Sequence, residues 1–175
     1  MTQLDPTHCR QIEWLLSDVD GVMTDGGVIL TDSGEQVVRF HIRDGLGVRL
    51  WRQTGRRFGI LTGRDVDAVR RRGEQLHADA IYQGEDDKLA TFKRFLAAHA
   101  VAAEHVCYVG DDLLDLPVLR RAGVAMTVAG APDEVQGQAA YVTRVGGGHG
   151  ALREVVEVLL KTTGEWESLL ADFNR

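Results

Sequence analysis

Short apolar runs alternate with amphipathic segments along most of this chain. The apolar runs predict strands at about 13–18, 57–62, 78–82, 106–109, 124–128 and 141–142. Apolar residues at helical spacing predict helices at about 44–54, 65–76, 86–99, 113–122, 132–138 and 151–161. This alternation is typical of βαβ units. It predicts an α/β fold of the Rossmann-like type, a three-layer sandwich in which helices cover a mostly parallel central sheet.

The pattern changes at three places. Two apolar segments, 27–31 and 36–40, flank a polar turn and predict a protruding β-hairpin over about 27–40. Residues 1–12 are polar without a strong period, and the tail at about 164–175 carries no pattern that predicts its structure. Because no repeat, low-complexity segment or linker divides the 175 residues, we expect a single domain over 1–175.

Composition narrows the function classes. Hydrophobic residues make up 44% of the chain and charged residues 26%, as in ordinary globular proteins. The net charge of −6 argues against coating nucleic acid or an anionic membrane, but it leaves a small anionic substrate open. Cys9 and Cys107 do not make a disulfide framework, and Cys107 is expected to be a buried thiol. Without a signal-peptide pattern or a long apolar run, we expect a cytoplasmic protein without nucleic-acid or membrane partners.

Chemically active residues follow four of the predicted strands, where ligands bind in open α/β sheets. In chain order they are Asp18 and Asp20; Thr62 and Arg64; Lys88; and Asp111, Asp112 and Asp115. We therefore expect carboxylates, a hydroxyl and an amine to converge at one edge of the sheet. That set suits phosphoryl transfer, since clustered carboxylates bind a hard cation such as Mg²⁺ and a carboxylate can itself be the nucleophile.

Simpler structural interpretations exist for each residue taken alone. Asp111 or Asp112 could cap the helix that follows, and Thr62 could be a turn residue. Lys88 could pair with the acidic residues at 85–87. The glycines at 146–150 could admit a close ligand or form a flexible helix entry. The shared order of the four groups at strand ends favours the functional interpretation.

These residues resemble the four motifs of the haloacid dehalogenase superfamily of phosphohydrolases. The matching stretches are DVDG at 18–21, Thr62, Lys88 and GDDLLD at 110–115. The resemblance implies that Asp18 is the nucleophile and Asp20 the general acid/base. It also implies that Thr62 and Lys88 bind the transferring phosphoryl group. The implied Mg²⁺ ligands are Asp18, the Asp20 carbonyl and Asp111, with Asp112 and Asp115 in support.

Longer stretches resemble one subfamily, the 3-deoxy-D-manno-octulosonate 8-phosphate phosphatases. They are DVDGVMTDGG, FHIRDGLGVR, LTGR, YQGEDDK, YVGDDLLDLPVL and YVTRVGGGHGALREV. The resemblance implies Mg²⁺-dependent hydrolysis of that sugar phosphate through an aspartyl-phosphate. It further implies a homotetramer joined through the hairpins and a role in lipopolysaccharide sugar synthesis in a Gram-negative bacterium. The implied substrate contacts are Asp20, His41, Ile42, Arg43, Asp44, Gly45, Arg49, Arg64, Arg72 and Lys88. Arg70 and Arg71, which directly precede Arg72, are interpreted as part of a solvated helix face.

The segments between the motifs leave no room for a folded cap domain over the site. The apolar hairpin could therefore pack between chains and help to wall the site, or it could be a local flap over its own site. Three alternative functions stay open: a phosphatase for a nine-carbon sugar acid phosphate, a phospho-accepting receiver domain, and a non-catalytic oligomerisation module. The motif order argues against a receiver domain, and the intact acidic residues argue against a module without chemistry.

Overall fold

The computed structural model describes residues 4–174. Residues 1–3 of the polar N-terminal segment, and Arg175 at the end of the predicted tail, lie outside the described residues. The strands are β1 (Trp14–Ser17), β2 (Ile29–Leu30), β3 (Gln36–Val37), β4 (Arg57–Leu61), β5 (Ala80–Tyr82), β6 (Val106–Val109), β7 (Val124–Thr127) and β8 (Tyr141–Val142). The α-helices are α1 (Pro6–Gln11), α2 (Ile42–Gln53), α3 (Asp67–Gln75), α4 (Lys88–His99), α5 (Leu116–Leu119), α6 (Asp133–Gln136), α7 (Ala151–Thr163) and α8 (Trp166–Ala171). Single 3₁₀ turns lie at Ala103–His105, Leu113–Asp115 and Asp172–Asn174.

The central sheet has the strand order β5-β4-β1-β6-β7-β8, and every neighbouring pair is parallel. Strand β1 lies inside it, with Leu15 opposite Phe58 on β4 and Cys107 on β6. All four residues of β1 are buried, as its continuous apolar sequence predicts for a strand covered on both faces. The predicted α/β sandwich is thus confirmed, and the carboxyl ends of the strands meet at one edge.

Helices pack over the sheet in mutually contacting pairs, with α2 against α7 and α4 against α5. The close approach of α2 to α7 depends on Gly47, because a Cβ at this position would lie 3.0 Å from the Cα of Arg153. Buried aromatic residues fill the space beside the sheet: Trp14 on β1 meets Phe95 on α4 edge-on at 4.8 Å. The core therefore fixes the position of β1, and with it the position of Asp18, which follows β1 directly.

The predicted hairpin is present, with a shorter ladder than expected. Strands β2 and β3 are antiparallel and pair Ile29 with Val37. The apolar side chains of this hairpin are solvent-exposed in the single chain: Val28, Ile29, Leu30 and Val37 show between 47% and 66% of their surface. Between β1 and β4 the described chain forms this hairpin and α2, so the expected absence of a cap domain at this point is confirmed.

Three segments differ from the sequence expectation. Helix α1 was not predicted, although Asp5 and Pro6 carry the usual start signal: Asp5 Oδ1 accepts from Thr7 N at 2.8 Å. The predicted helix at 113–122 is a 3₁₀ turn followed by the short α5. The tail is helical as α8, which starts after Gly164 in the left-handed region and is anchored by the buried Trp166.

Candidate active site

An ion network lies at the carboxyl end of β1. Lys88 Nζ lies 2.6 Å from Asp18 Oδ2 and 2.6 Å from Asp115 Oδ1. All three side chains are almost fully buried. Lys88 stands at the first position of α4, where the helix dipole disfavours a cation, and these two carboxylates compensate for that position. The alternative pairing of Lys88 with residues 85–87 is therefore replaced by pairing with Asp18 and Asp115.

Asp115 accepts four hydrogen bonds in this network. Its Oδ2 accepts from the backbone N–H groups of Asp111 and Asp112 at 3.0 and 3.2 Å. Its Oδ1 accepts from Lys88 and also from the hydroxyl of Tyr108. Sequence reasoning missed Tyr108, which lies inside the apolar run of β6; a tyrosine at the next-to-last position of the strand was the available signal. Tyr108 is fully buried, and burial beside Asp115 raises its pKa well above the usual value.

Asp111 completes an acidic cluster. Carboxylate oxygens of Asp18, Asp111 and Asp115 all lie within 4.8 Å of one another. Gly21 makes this approach possible, because a Cβ at its position would lie 1.8 Å from Asp111 Oδ2. The backbone of Gly21 also has a positive φ of 79°, which favours glycine. The glycine of the DVDG stretch is thus required by space and by backbone conformation.

The cluster fits a divalent cation. Three carboxylates share one ammonium group, so the buried network carries excess negative charge. Burial and the charge of Asp115 raise the pKa of Asp18 to about 6, although Lys88 opposes the shift. Burial and the charges of Asp18 and Asp115 raise the pKa of Asp111 to about 7. Burial alone would lower the pKa of Lys88, but the two carboxylates raise it. Oxygen ligands with uncompensated charge are the donor set that Mg²⁺ prefers.

Asp20 occupies a different environment from Asp18. Its side chain is 36% exposed, and Oδ1 accepts from Arg64 Nη1 at 2.8 Å and from Thr24 Oγ1 at 3.4 Å. Thr62, at the end of β4, is buried, and its Oγ1 accepts from Arg64 N at 3.2 Å. The turn role considered for Thr62 is therefore real, but its hydroxyl proton can still be donated to a ligand.

These residues line one open cleft of about 460 Å³. The cleft wall brings together the polar residues expected from the sequence, and it adds Asp25 and Asp86, which the sequence reasoning had not singled out. Asp112 also lines it, but this exposed residue accepts from Leu113 N at 2.7 Å and caps the following turn, as the structural alternative proposed. The expected convergence of carboxylates, hydroxyl and amine at one sheet edge is confirmed.

The remaining expected substrate residues lie elsewhere in the chain. Ile42, Gly45, Arg49 and Arg72 line a second cavity of about 500 Å³ that shares no lining residue with the acidic cleft. We call it the basic cavity, because Arg49, Arg52 and Arg72 contribute to its wall. Arg43 lines a third depression beside α7, and Arg64 is the single expected arginine in the acidic cleft. Arg70 and Arg71 are exposed and paired with Asp67, as the solvated-face interpretation expects.

Two of the expected substrate residues accept hydrogen bonds from backbone N–H groups. His41 is the N-cap of α2, and its Nδ1 accepts from Arg43 N at 3.4 Å. Asp44 is 1% exposed, and its Oδ1 accepts from the backbone N–H of Arg153 at 2.8 Å. Burial raises the pKa of Asp44 to about 6, against the lowering effect of that hydrogen bond.

The glycines at 146–150 pack on protein. Gly148 N donates to Val22 O at 3.0 Å. A Cβ at Gly147 would lie 1.8 Å from Gly21 O. This segment therefore supports the loop after β1, a role that differs from both interpretations drawn from the sequence.

Comparison with known proteins adds a family to this geometry. A family model described as haloacid dehalogenase-like hydrolase matches residues 74–153. The chain is 41% identical to 3-deoxy-D-manno-octulosonate 8-phosphate phosphatase KdsC from Escherichia coli K12, over 89% of this chain and 83% of that protein. The chain belongs to the KdsC family of haloacid dehalogenase-like hydrolases. The Salmonella typhi KdsC is similar at 40% identity, over 91% of this chain and 85% of the relative.

Solved structures agree with this KdsC membership. The 3-deoxy-D-manno-octulosonate 8-phosphate phosphatase from Moraxella catarrhalis, crystallised with magnesium, phosphate and a KDO molecule, matches with a TM-score of 0.93 and 34% identity, over 96% of this chain and 97% of that one. The cobalt-bound enzyme from Haemophilus influenzae matches with a TM-score of 0.86 and 34% identity, over 90% and 92% of the two chains. In residues 4–174, none of the helices has the length and apolar character that crossing a membrane requires.

Proposed function

We propose that this enzyme hydrolyses 3-deoxy-D-manno-octulosonate 8-phosphate to the free sugar acid and inorganic phosphate, with Mg²⁺ as cofactor. The observation that carries the proposal is the acidic cluster of Asp18, Asp111 and Asp115, in which Lys88 pairs with Asp18 and Asp115. Asp18, Asp111 and Lys88 line the open cleft. The family relationship supports the substrate, since the relatives named above act on this sugar acid phosphate.

Asp18 is the proposed nucleophile. A carboxylate oxygen attacks phosphorus, the P–O bond to the sugar breaks, and an aspartyl-phosphate forms on Asp18. The side chain is held for this step from two sides, by Val19 N on Oδ1 at 2.7 Å and by Lys88 on Oδ2 at 2.6 Å. Lys88 can also neutralise the charge on the phosphoryl oxygens during transfer.

Asp20 is the proposed general acid and base. It protonates the leaving sugar oxygen, and its carboxylate then takes a proton from the water that hydrolyses the aspartyl-phosphate. Its partial exposure supports this role, because the side chain can reach solvent water, and its Oδ1 accepts from Arg64 Nη1. Thr62 is proposed to donate its hydroxyl proton to a phosphoryl oxygen, because its Oγ1 already accepts from Arg64 N.

Asp18, the Asp20 carbonyl and Asp111 would hold Mg²⁺, with Asp112 and Asp115 supporting these ligands. When bound, this cation supplies positive charge to the carboxylates and to the phosphate oxygens. The excess negative charge of the cluster supports this assignment, and so does the raised pKa of Asp18 and Asp111.

We further propose that a neighbouring chain completes the substrate site. Among residues 4–174, Arg64 is the one arginine that lines the acidic cleft. A sugar acid phosphate also carries a carboxylate, which arginine pairs with well. Arg49 and Arg72 lie in the separate basic cavity of the same chain, where they can face the cleft of another chain. The exposed hairpin residues Val28, Ile29 and Leu30 supply an apolar surface for the assembly, which we propose to be a homotetramer.

A cytoplasmic location and a role in lipopolysaccharide sugar synthesis belong to the same proposal. Cys9 and Cys107 are both buried free thiols, which agrees with a reducing compartment. Cell fractionation with an antibody against the chain tests the location: a periplasmic signal would contradict it.

A substrate panel tests the proposed reaction. We expect kcat/KM for the eight-carbon sugar acid phosphate to exceed that for p-nitrophenyl phosphate by roughly 10²-fold or more, because two charged contacts add to the transition state. A higher value for a nine-carbon sugar acid phosphate would transfer the assignment to that substrate. Equal rates across the panel would leave a general phosphatase.

A further inference from the structure

Helix α7 begins without a capping side chain of its own. Its N-cap is Gly150, which has a φ of +92° and no side-chain acceptor for the first-turn N–H groups. Asp44, on the first turn of α2, supplies the acceptor instead: its Oδ1 lies 2.8 Å from Arg153 N, across 109 residues of sequence. A carboxylate at a helix N-terminus also complements the helix dipole. Asp44 therefore caps a helix that is not its own.

The glycine segment 146–150, which precedes α7, packs against the catalytic loop, residues 20–25. Gly148 N donates to Val22 O at 3.0 Å. A Cβ at Gly148 would lie 2.4 Å from Asp25 N, so here backbone packs directly on backbone. Gly21, at the start of the same loop, packs against the Asp111 carboxylate. A shift of the glycine segment would therefore move the loop that carries Asp20.

The second carboxylate oxygen of Asp44 makes its buried position energetically unfavourable. Asp44 Oδ2 is buried and has no hydrogen-bond partner among residues 4–174. Burying an oxygen without a hydrogen-bond partner is unfavourable. A helix can be capped by a side chain that does not bury such an oxygen. Because the side chain is 1% exposed, it is also out of reach of a substrate in this chain.

We propose that Asp44 is a positioning residue for phosphoryl transfer: by capping α7 across the helix pair, it holds the glycine segment 146–150 against the catalytic loop 20–25. This inference rests on the proposed function, because it assigns the effect to the reaction at Asp18 and Asp20. The role proposed for Asp44 differs from that of the arginines of the basic cavity, which are proposed to bind substrate.

Three variants test the proposal. Asp44→Asn keeps an oxygen for Arg153 N, whereas Asp44→Leu has the same number of side-chain heavy atoms and no acceptor. Gly148→Ala displaces the loop without touching the cap. As a matched control, Glu165→Ala removes a carboxylate at the other end of α7, where it accepts from Arg56 Nη1 at 2.9 Å.

Each variant is assayed with the sugar acid phosphate and with p-nitrophenyl phosphate, which lacks the sugar acid. We expect Asp44→Leu and Gly148→Ala to lower kcat by roughly 10- to 100-fold on both substrates, since small misplacements of reacting groups have effects of this size. KM should change by less than about threefold, and Asp44→Asn should keep kcat within about threefold of the parent enzyme. Glu165→Ala should lower thermal stability and leave kcat unchanged.

Hydrogen exchange without substrate or metal gives a second readout. Amides of residues 21–25 and of Gly148 should exchange faster in Asp44→Leu than in Asp44→Asn. Wild-type kcat in Asp44→Leu would overturn the proposal, and so would a rise in KM confined to the sugar acid phosphate. If Asp44→Leu does not fold, wild-type kcat in Gly148→Ala would overturn it. Failure of the parent enzyme on the sugar acid phosphate, with activity on p-nitrophenyl phosphate, would reject the proposed substrate and leave the Asp44 comparison intact.

Discussion

The acidic cleft and the basic cavity of this chain are built in opposite ways. In the cleft, Lys88 lies 2.6 Å from both Asp18 and Asp115, and all three are buried. In the cavity, Arg49 is exposed, and Arg72 contacts the His41 carbonyl at 3.3 Å. The cleft therefore holds Asp18 and Lys88 in a buried ion network, whereas the cavity presents one exposed arginine, Arg49, and one half-buried arginine, Arg72.

This difference explains how a small fold without a cap can be selective. Preorganised charges are needed where the phosphoryl group reacts, and the sheet edge provides them within one chain. Recognition of the sugar acid needs cations at a distance from the acidic cluster, because Asp18 and Asp111 would otherwise pair with them. In the assembly that we propose, placing the arginines in a separate cavity keeps the two sets of charges apart until the chains meet.

The largest expected effect comes from Asp18→Asn, which removes the nucleophile and leaves the basic cavity unchanged. We expect kcat to fall by roughly 10⁴-fold or more on both the sugar acid phosphate and p-nitrophenyl phosphate. Rapid-quench detection of a phospho-enzyme should succeed with the parent enzyme and fail with the variant. Wild-type turnover by Asp18→Asn would refute the covalent mechanism.

Metal binding should act on the acidic cleft alone. Chelation should reduce hydrolysis of both substrates to background, and Mg²⁺ at a hundredfold excess over its Kd should stabilise the fold by about 2.7 kcal/mol, measured as a rise in Tm. Asp111→Asn should reduce this rise more than Asp112→Asn, because Asp111 is half-buried and belongs to the acidic cluster, whereas Asp112 is exposed. Equal shifts in the two variants would contradict the ligand assignment.

Arginine substitutions on α3 separate recognition from surface charge. Arg72→Ala should raise KM for the sugar acid phosphate by roughly 10- to 100-fold, the usual worth of a charged hydrogen bond, with little change for p-nitrophenyl phosphate. Arg70→Ala, on the same helix, is the matched control, because Arg70 is exposed and paired with Asp67 and Glu74. A loss on p-nitrophenyl phosphate in Arg72→Ala would place Arg72 in the chemistry instead.

The smallest effect concerns pH. The pKa of Asp44 is raised to about 6 in the fold, against an ordinary value of 3.8. The native state therefore binds this proton more tightly than the unfolded chain does, and stability falls as pH rises from about 4 to 6, by at most about 1.4 kcal/mol per pH unit. In urea titrations without metal, Asp44→Asn should lack this contribution, so its stability relative to the parent enzyme should rise over the same range. A difference that does not vary with pH would contradict the shift.

Local patterns were sufficient to predict the strands of the central sheet and the polar residues that gather at their carboxyl ends. Asp18 and Thr62 follow buried strands directly, Asp111 follows one residue later, and Lys88 opens the helix after β5. Parallel strands bring such positions to one edge of the sheet. Helix α1 also had a local signal in Asp5 and Pro6, and overlooking it was an error of interpretation.

The rest depended on contacts between distant segments. The cap from Asp44 to Arg153 spans 109 residues, and nothing in either local sequence indicates it. The glycine-rich sequence at 146–150 is compatible both with a close ligand and with a neighbouring loop, so it does not distinguish the two. Tyr108 has the pattern of a core residue, and its role depends on Asp115 folding back beneath β6.

The central claim is that one chain carries the reaction and a neighbouring chain recognises the sugar acid. A mixing experiment tests it most directly: Asp18→Asn, with intact arginines, is reassembled with the double variant Arg49→Ala/Arg72→Ala, which has an intact nucleophile. For equal amounts we predict roughly a quarter of wild-type activity on the sugar acid phosphate, since half of the clefts are intact and half of their neighbours recognise substrate. Activity equal to the mean of the separate variants would contradict the claim and place both functions within a single chain.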